Sequence, residues 1–445
     1  MTRLMPLSSS LAPSPDPAVS AKQRFRTNAA KRLLPITASL SGIACFCSLI
    51  AFAGSAQAQQ PEAEKAAVEP RPVDGVEFKP GKGLTAASSD GDFSINIGLR
   101  NQFRMTIEKE HPEEGDAPDA TLGFQIRRSR LALKGNAFDK QTKYELQLDL
   151  APRGISKGSP LLDAYVKFEQ LRDLSLRVGQ YKAPYMREQI MSDGKLELVD
   201  RSLLNSRFTV DRDIGLDFYS KELFGLEQLH YNLGVYTGEG RNGSSQSSFG
   251  LLYLARVEVL PLGDFDDLSE ADFERSAPKL SIGAAYGYHS RAQNDLGVRG
   301  DAWDDGGTGN YKLATADVMF KVAGMTMLGA FAWRDGTRSK GTELDPATGM
   351  PFVDPEPASN GWGFMAQLGY LIPTTSFDLA ARYSQIHQKN DASALADERE
   401  VAFGAGYFFA QHLLKLQADA VRIWEKSAGF DHGTDEVRVQ LQMSL

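Results

Sequence analysis

Cysteine is almost absent from this 445-residue chain. Cys45 and Cys47 are the only two, and both lie in a segment with the marks of an export signal. The mature chain is therefore expected to carry no disulfide and no thiolate chemistry. Histidine is scarce as well: His111, His230, His289, His387, His412 and His432 are the only six. None stands in a nucleophile or zinc-ligand motif, so no catalytic residue, metal or cofactor is expected, and the protein is read as a non-enzyme. Ser290 beside His289 is a neighbour in sequence and says nothing of a triad. After Ala58 there is no apolar run long enough to cross a bilayer as a helix.

What is present begins with a leader. Arg24, Arg26, Lys31 and Arg32 precede an apolar run from Leu33 to Ala53, and Ala56-Gln57-Ala58 offers small residues around a cleavage point. Residues 1–58 are thus expected to be a signal peptide. They carry six of the 49 Lys/Arg and one of the 57 Asp/Glu, which leaves 43 basic against 56 acidic residues in the mature chain. Such an excess of acid argues against a nucleic-acid partner. Residues 59–90 are rich in Pro, Glu, Ala and Lys and are expected to form a flexible periplasmic lead-in.

From residue 91 to 445 the chain alternates. Phe93, Ile95, Ile97 and Leu99 interleave with Ser94, Asn96, Gly98 and Arg100, and Tyr144, Leu146, Leu148 and Leu150 with Lys143, Glu145, Gln147 and Asp149. Period two places these sets on opposite faces of a strand. In Leu161–Tyr181 the apolar sets Ala164, Val166, Phe168 and Leu174, Leu176, Val178 all fall on even numbers. Antiparallel pairing on one face then needs an odd-length turn, which Arg172-Asp173-Leu174 supplies. Between Phe124-Ile126 and Leu131-Leu133 the phase flips, so a bulge is expected within Arg127-Arg128-Ser129-Arg130. Counted to the carboxyl end, the candidates number sixteen.

Short connections alternate with long ones, the longest being Lys182 to Arg212. An even strand number with alternating short turns and long loops is the pattern of a transmembrane antiparallel β-barrel, whose closure leaves no unpaired edge in hydrocarbon. Tyr181, Tyr185, Tyr286, Tyr288, Trp333, Trp362, Tyr370, Tyr407, Phe408, Phe409 and Trp424 gather near strand ends, as interfacial girdles would. Leu262 to Pro278 breaks the rhythm, a long acidic connection where a short turn belongs. It carries Asp264, Asp266, Asp267, Glu270, Asp272 and Glu274. Asp264-Phe265-Asp266-Asp267 lacks the spacing and glycine of a calcium loop and is expected to be solvated, as are Asp295, Asp301, Asp304 and Asp305 in a later loop.

In this order along the chain, TLGFQIRRSRLALKGNAF, YELQLDLA, LLDAYVKFEQ, LSLRVGQYKAPYMREQ, VDRSLLNSRF and DRDIGLDFY resemble the phosphate-selective porin O and P family. The likeness is densest between Thr121 and Gly238 and sharpest at Arg-Val-Gly-Gln-Tyr-Lys-Ala-Pro. It implies a sixteen-stranded barrel in the outer membrane of a Gram-negative bacterium, set among its lipids and assembled as a homotrimer. It also implies basic residues in the lumen and on infolded loops that pass phosphate-type anions. At the matching positions stand Arg127, Arg128, Arg130, Arg177, Lys182, Arg187, Arg201, Arg207 and Arg212. The chain departs from the family in its acidic balance and in ending on Leu445 where outer-membrane barrels usually end on phenylalanine.

Alternation independently turns Arg100, Arg104, Lys143, Lys167, Arg177, Arg382, Lys415 and Arg438 toward the lumen, and Lys195 joins the set on the long loop. Arginine suits phosphate because its planar fork offers several donors without losing charge. The other use of these cations is pairing across the wall with Glu145, Asp149, Asp163, Glu169, Asp378 and Asp419. The expected function is a passive channel for small anions, phosphate or polyphosphate, with Lys182–Arg212 as constriction. The alternatives are a general diffusion porin leaning to cations, a plugged structural or adhesin barrel, and a barrel hydrolase. Gly179, Gly234, Gly283, Gly404 and Gly406 in the lumen are read as favouring an open bore.

Overall fold

The computed structural model describes residues 73–81, 83–112, 120–151, 159–243, 250–275, 277–352 and 357–445. The leader expected at 1–58 lies outside them. A hairpin, β1 (Val73–Lys79) and β2 (Gly83–Ser88), comes first, and β2 pairs with the start of β3 (Ser94–His111). Part of the stretch expected as an unstructured lead-in is therefore β-sheet. Its alternation, Val76 and Phe78 against Leu84 and Ala86, is too short to stand out among the flanking prolines and glycines.

The wall continues through β4 (Ala120–Asn136), β5 (Thr142–Asp149), β6 (Leu161–Phe168), β7 (Ser175–Lys182), β8 (Arg212–Ser220), β9 (Leu229–Tyr236), β10 (Leu252–Val259) and β11 (Lys279–Ala292). A small outlying hairpin, β12 (Asn294–Leu296) and β13 (Arg299–Ala302), precedes β14 (Thr308–Val322), β15 (Met325–Ser339), β16 (Gly361–Leu371), β17 (Phe377–Gln388), β18 (Glu398–Ala410), β19 (Leu414–Glu425) and β20 (Gly433–Ser444). Each wall strand pairs antiparallel with the next. The last, β20, pairs with β3 from Gly433↔His111 to Ser444↔Arg100, which closes a barrel of sixteen strands. Closure satisfies the backbone of every wall strand without an edge.

The barrel is apolar outside and polar within. Phe103, Leu122, Phe124, Leu233, Val257, Leu368, Leu379, Phe403, Leu416 and Val437 are exposed on the outer face. Their alternating neighbours Gln102, Arg104, Arg256, Gln367, Arg382, Lys415, Gln417, Gln440 and Gln442 are buried within. This reverses the arrangement of a water-soluble protein and fits a wall standing in hydrocarbon.

The β4 bulge falls at Arg127: Phe103 pairs with Ile126 and Gln102 with Arg128, so Arg127 is the unpaired extra residue. The expected tight turn between β6 and β7 is longer than three residues. The last pair is Phe168↔Leu176, and Leu174 stays in the turn, its amide bonded to the Leu171 carbonyl. The seven residues between that pair keep the odd parity that the alternation demanded.

Of the aromatics expected in girdles, Phe377, Tyr407 and Phe409 form an edge-to-face ladder near the short-turn end, with centroids 4.8 and 4.7 Å apart. Trp362 stacks on His387 toward the other end at 4.2 Å. Tyr181, Tyr185 and Phe408 do not belong to the girdles, because they are buried inside the barrel against segments that fold into the lumen.

Candidate functional site

Residues 183–211 leave the top of β7, turn into the barrel and return to β8. The backbone is broken into two short helices, α1 (Arg187–Ile190) and α2 (Leu203–Phe208), with a 3-10 turn at Asp193–Lys195 between them. Ser202 caps α2 by accepting from the Asn205 amide at 3.1 Å. Glu188 secures that cap, its carboxylate accepting from the Ser202 amide at 2.6 Å and the Ser202 hydroxyl at 2.5 Å. Tyr185, Met186, Met191, Leu196, Leu203, Leu204 and Phe208 form an apolar core between the loop and the wall, so the loop is packed structure and not a mobile flap.

Charge fixes its path. Asp193 receives Arg128 Nε at 2.8 Å and Arg130 Nη2 at 2.7 Å, and Arg100 also pairs with it. Asp200 receives Arg104 Nη1 at 2.6 Å and Arg128 Nη2 at 3.1 Å, with Arg127 at 3.6 Å. Burial alone would raise both carboxyl pKa values. The surrounding guanidiniums outweigh it, Arg128, Arg130 and Arg100 at Asp193 and Arg104, Arg128 and Arg127 at Asp200, and hold both well below the ordinary aspartate value. Five arginines thus share two aspartates.

On the far side the loop sits where glycine leaves room. A Cβ on Gly404 would lie 2.6 Å from Leu198 Cδ2, and one on Gly363 would lie 2.8 Å from Leu204 Cδ1. The expectation that lumenal glycines mark an open bore is corrected by this. Gly404 receives the loop, and the space beside Gly179, Gly234 and Gly283 is taken by Tyr165, Tyr236 and Arg256. Glycine here admits bulky neighbours.

The other candidate residues divide sharply. Arg187 is spent on structure, with Asp317 at 2.7 Å, Glu258 at 3.2 Å and the Asp267 carboxylate as partners. Arg207 grips Glu398 through two bonds of 2.6 Å, and Arg212 grips Asp163 through two of 2.9 Å. Arg177 pairs with Asp217 at 2.6 Å with its guanidinium 3.8 Å from the Tyr181 ring centre, and Lys195 pairs with Asp266 at 2.7 Å. Of the wall carboxylates expected as counter-ions, Asp163, Glu169 and Asp419 pair with Arg212, Lys143 and Arg438.

Other cations have no carboxylate partner among the described residues. Arg201 donates to the carbonyls of Glu188 and Met191 at 2.7 and 2.8 Å, and Lys182 to those of Ile190 and Met191 at 3.3 and 2.8 Å. Lys167 lies over the rings of Tyr165 and Tyr219 at 5.2 and 6.0 Å. Among the described residues, Arg299 reaches only the Ser206 carbonyl at 3.2 Å, and Arg241 makes no ion pair. Sequence reasoning missed Arg241, which lies in a loop, and Arg299, which opens the four-residue β13, because neither stretch shows an alternating strand pattern.

Arg127, Arg128, Arg130, Arg201, Arg241 and Arg299 face one cavity of about 390 Å³ above the infolded loop. Eight arginines and six carboxylates line it, so its charge is positive although the chain is acidic. Below it, Lys182, Arg177, Lys167 and Lys143 continue the basic column down β5–β7 toward the short-turn end.

In the acidic connection between β10 and β11, Asp264 and Asp266 are exposed as expected, and the expectation is corrected at Asp267. Asp267, Glu270 and Asp272 are buried, because residues 260–275 fold into the barrel rather than into solvent. Asp305 likewise is buried against Arg338.

The family model for phosphate-selective porin O and P matches residues 96–306. An uncharacterized protein of Aquifex aeolicus (strain VF5) is 21% identical over 360 residues, covering 72% of this chain and 80% of its own. Among solved structures, the anion-selective porin from Comamonas acidovorans superposes with a TM-score of 0.53 at 12% identity, covering 79% of this chain and 100% of that one. The outer membrane channel DcaP of Acinetobacter baumannii gives 0.50 at 11% identity, covering 80% and 99%. At such identities the likeness to the solved structures is one of fold. The chain thus has the fold of a sixteen-stranded porin barrel, and its residues 96–306 match the family model of the phosphate-selective porins O and P.

Proposed function

We propose that the protein is a passive channel for small anions, with oxyanions of the phosphate class as preferred solutes, and that its short-turn end faces the periplasm. The observation that carries this is the set of cations without carboxylate partners among the described residues, Arg201, Arg241, Arg299, Lys182 and Lys167, beside five arginines that share two aspartates. A lumen meant only to be rigid would pair its charges, as Arg207, Arg212 and Arg438 are paired. Unpaired guanidinium in a water-filled space keeps donors free for a passing oxyanion. The acidic total is no obstacle, because selectivity follows the charge at the narrow part of the path and not the sum over the chain.

Assembly as a homotrimer belongs to the same proposal. β5, β6, β7, β9 and β10 have eight residues each. A tilted membrane-spanning strand needs about 9–11. A short stretch of wall is relieved of mismatch by contact with another copy, and unheated gel electrophoresis against a heated sample reads the oligomer directly.

The experiment for transport is planar-bilayer conductance of the purified porin in a potassium chloride gradient, then with added phosphate. A reversal potential on the anion side and chloride current blocked by phosphate are expected. Cation preference without phosphate block would overturn the reading in favour of a general diffusion porin.

A further inference from the structure

Six connections at the short-turn end simply turn back. The seventh, residues 260–275, runs under the infolded loop and is fastened to it residue by residue. The Glu270 carboxylate accepts from the Glu197 amide at 2.6 Å, and the Glu197 carboxylate accepts from the Ala271 amide at 3.0 Å. The Glu270 amide donates to the Lys195 carbonyl at 2.9 Å, Lys195 Nζ meets Asp266 at 2.7 Å, and Arg187 Nη1 donates to the Asp267 carbonyl at 3.2 Å.

Its other edge is tied to the wall. Asp272 accepts from the Gly324 amide at 2.8 Å, and Arg275 donates to the Ala323 carbonyl at 3.2 Å. Phe273 packs edge-on against Phe408 and His412, with centroids 4.9 and 5.0 Å away, and His412 Nε2 lies 2.9 Å from the Glu270 carbonyl. Gln367 of β16 donates to Glu270 at 2.9 Å.

We infer that residues 260–275 are a strap that, clasped to the infolded loop, shuts the β14–β19 side of the lumen and confines solute to the basic column along β4–β8. The infolded loop alone would leave that side to a single layer of contacts: Glu197 in the space beside Gly369, Leu198 beside Gly404, and the Leu196 carbonyl held by Lys415 at 2.7 Å and Gln417 at 3.0 Å. The strap adds a second layer beneath it. The chemistry of the shut side differs from that of the open one. Glu197, Glu270, Asp272 and Asp378 are buried there against Lys321 and Lys415, and among the described residues neither Asp378 carboxylate oxygen has a hydrogen-bond partner. Opening it would therefore add a path of opposite charge, so the strap sets both the width and the anion preference of the channel. The selectivity half of this inference rests on the anion-channel reading, and the width half does not.

The test uses the whole porin in planar bilayers. Asp267→Ala with Glu270→Ala removes the acceptors for Arg187, Gln367 and the Glu197 amide. Single-channel conductance is expected to rise about twofold or more, with the reversal potential moving toward cations. The mature chain carries no cysteine if cleaved as expected, so Lys195→Cys with Asp266→Cys, bridged by a short bis-thiol reagent, should hold the released variant at the wild-type conductance. Unchanged conductance in a released variant that still shows the heat-dependent gel shift of a folded barrel would overturn the strap. If the released variant does not fold, the bridged and unbridged forms of the two-cysteine protein decide alone: equal conductance overturns the strap, and a larger one without the bridge supports it. A wild-type channel that prefers cations would overturn the anion reading while the conductance comparison stands.

Discussion

Arg128 holds both aspartates of the infolded loop at once, Asp193 through Nε at 2.8 Å and Asp200 through Nη2 at 3.1 Å. One guanidinium on β4 thereby fixes two points of the loop seven residues apart. Asp193 is the more tightly engaged of the pair, for its three arginines all lie within 2.8 Å, whereas Arg127 stands 3.6 Å from Asp200.

Asp193→Asn should therefore strand Arg100, Arg128 and Arg130 as buried, uncompensated charges. Removing one partner of a buried ion pair costs about 3–5 kcal/mol. The closed barrel would persist while the loop loosens, so the expected outcome is a noisier open-channel current and a lower temperature for the heat-dependent gel shift. Current recordings that match wild type would show that the loop is held by its apolar core alone.

Paired and unpaired cations should separate in transport. Arg201→Ala and Arg241→Ala are each expected to weaken phosphate block by about fivefold, the factor for roughly 1 kcal/mol of screened attraction. Arg207→Ala, whose charge is already answered by Glu398, should change the block by less than about twofold. The comparison is a titration of chloride current with phosphate for each variant.

Gly369→Leu is expected to mimic release of the strap. A Cβ at that position would lie 2.1 Å from the Glu197 carboxylate, so Glu197 must leave the site from which it accepts the Ala271 amide. Gly406→Leu serves as control, because a Cβ there meets nothing closer than 3.7 Å. Single-channel conductance should rise for the first and stay near wild type for the second.

Acid should loosen the loop only in strongly acidic solution. Asp193 and Asp200 have folded pKa values below the ordinary 3.8, so they bind fewer protons folded than unfolded. Their contribution is complete above 3.8 and is lost as pH falls through the depressed folded values. Open-channel noise recorded from neutral pH downward should stay flat to 3.8 and rise below it, and Asp193→Asn with Asp200→Asn should remove that onset.

The wall was legible in the sequence because period two has one physical cause, a face in hydrocarbon and a face in water. It returned the strand number and the placement of Arg104, Arg382 and Arg438 in the lumen. The path of residues 183–211 was not legible, because its partners are remote: Val199 bonds Asp419 and Leu203 bonds Glu400, about two hundred residues away. The strap was hidden for another reason. Asp266, Asp267 and Glu270 look like ordinary solvated charge until Lys195, Arg187 and Gln367 are placed beside them, and local pattern carries no trace of that meeting. The bulge at Arg127 lay between, visible as a phase error but not assignable to one arginine.

The bonds from Val199 to Asp419 and from Asp193 to Arg128 join the middle of the chain to both of its ends. The infolded loop is made long before β19 exists to receive it, and the ring itself closes only when β20 meets β3. Contacts so distant along the chain carry a high loop-closure cost and form late. The unfinished barrel is thus a wide, unfilled cylinder, and the lumen acquires its selectivity only as the last strands arrive. Assembly of the pore and assembly of the wall are one kinetic event, so a chain truncated before β19 would lose the filter together with the seam.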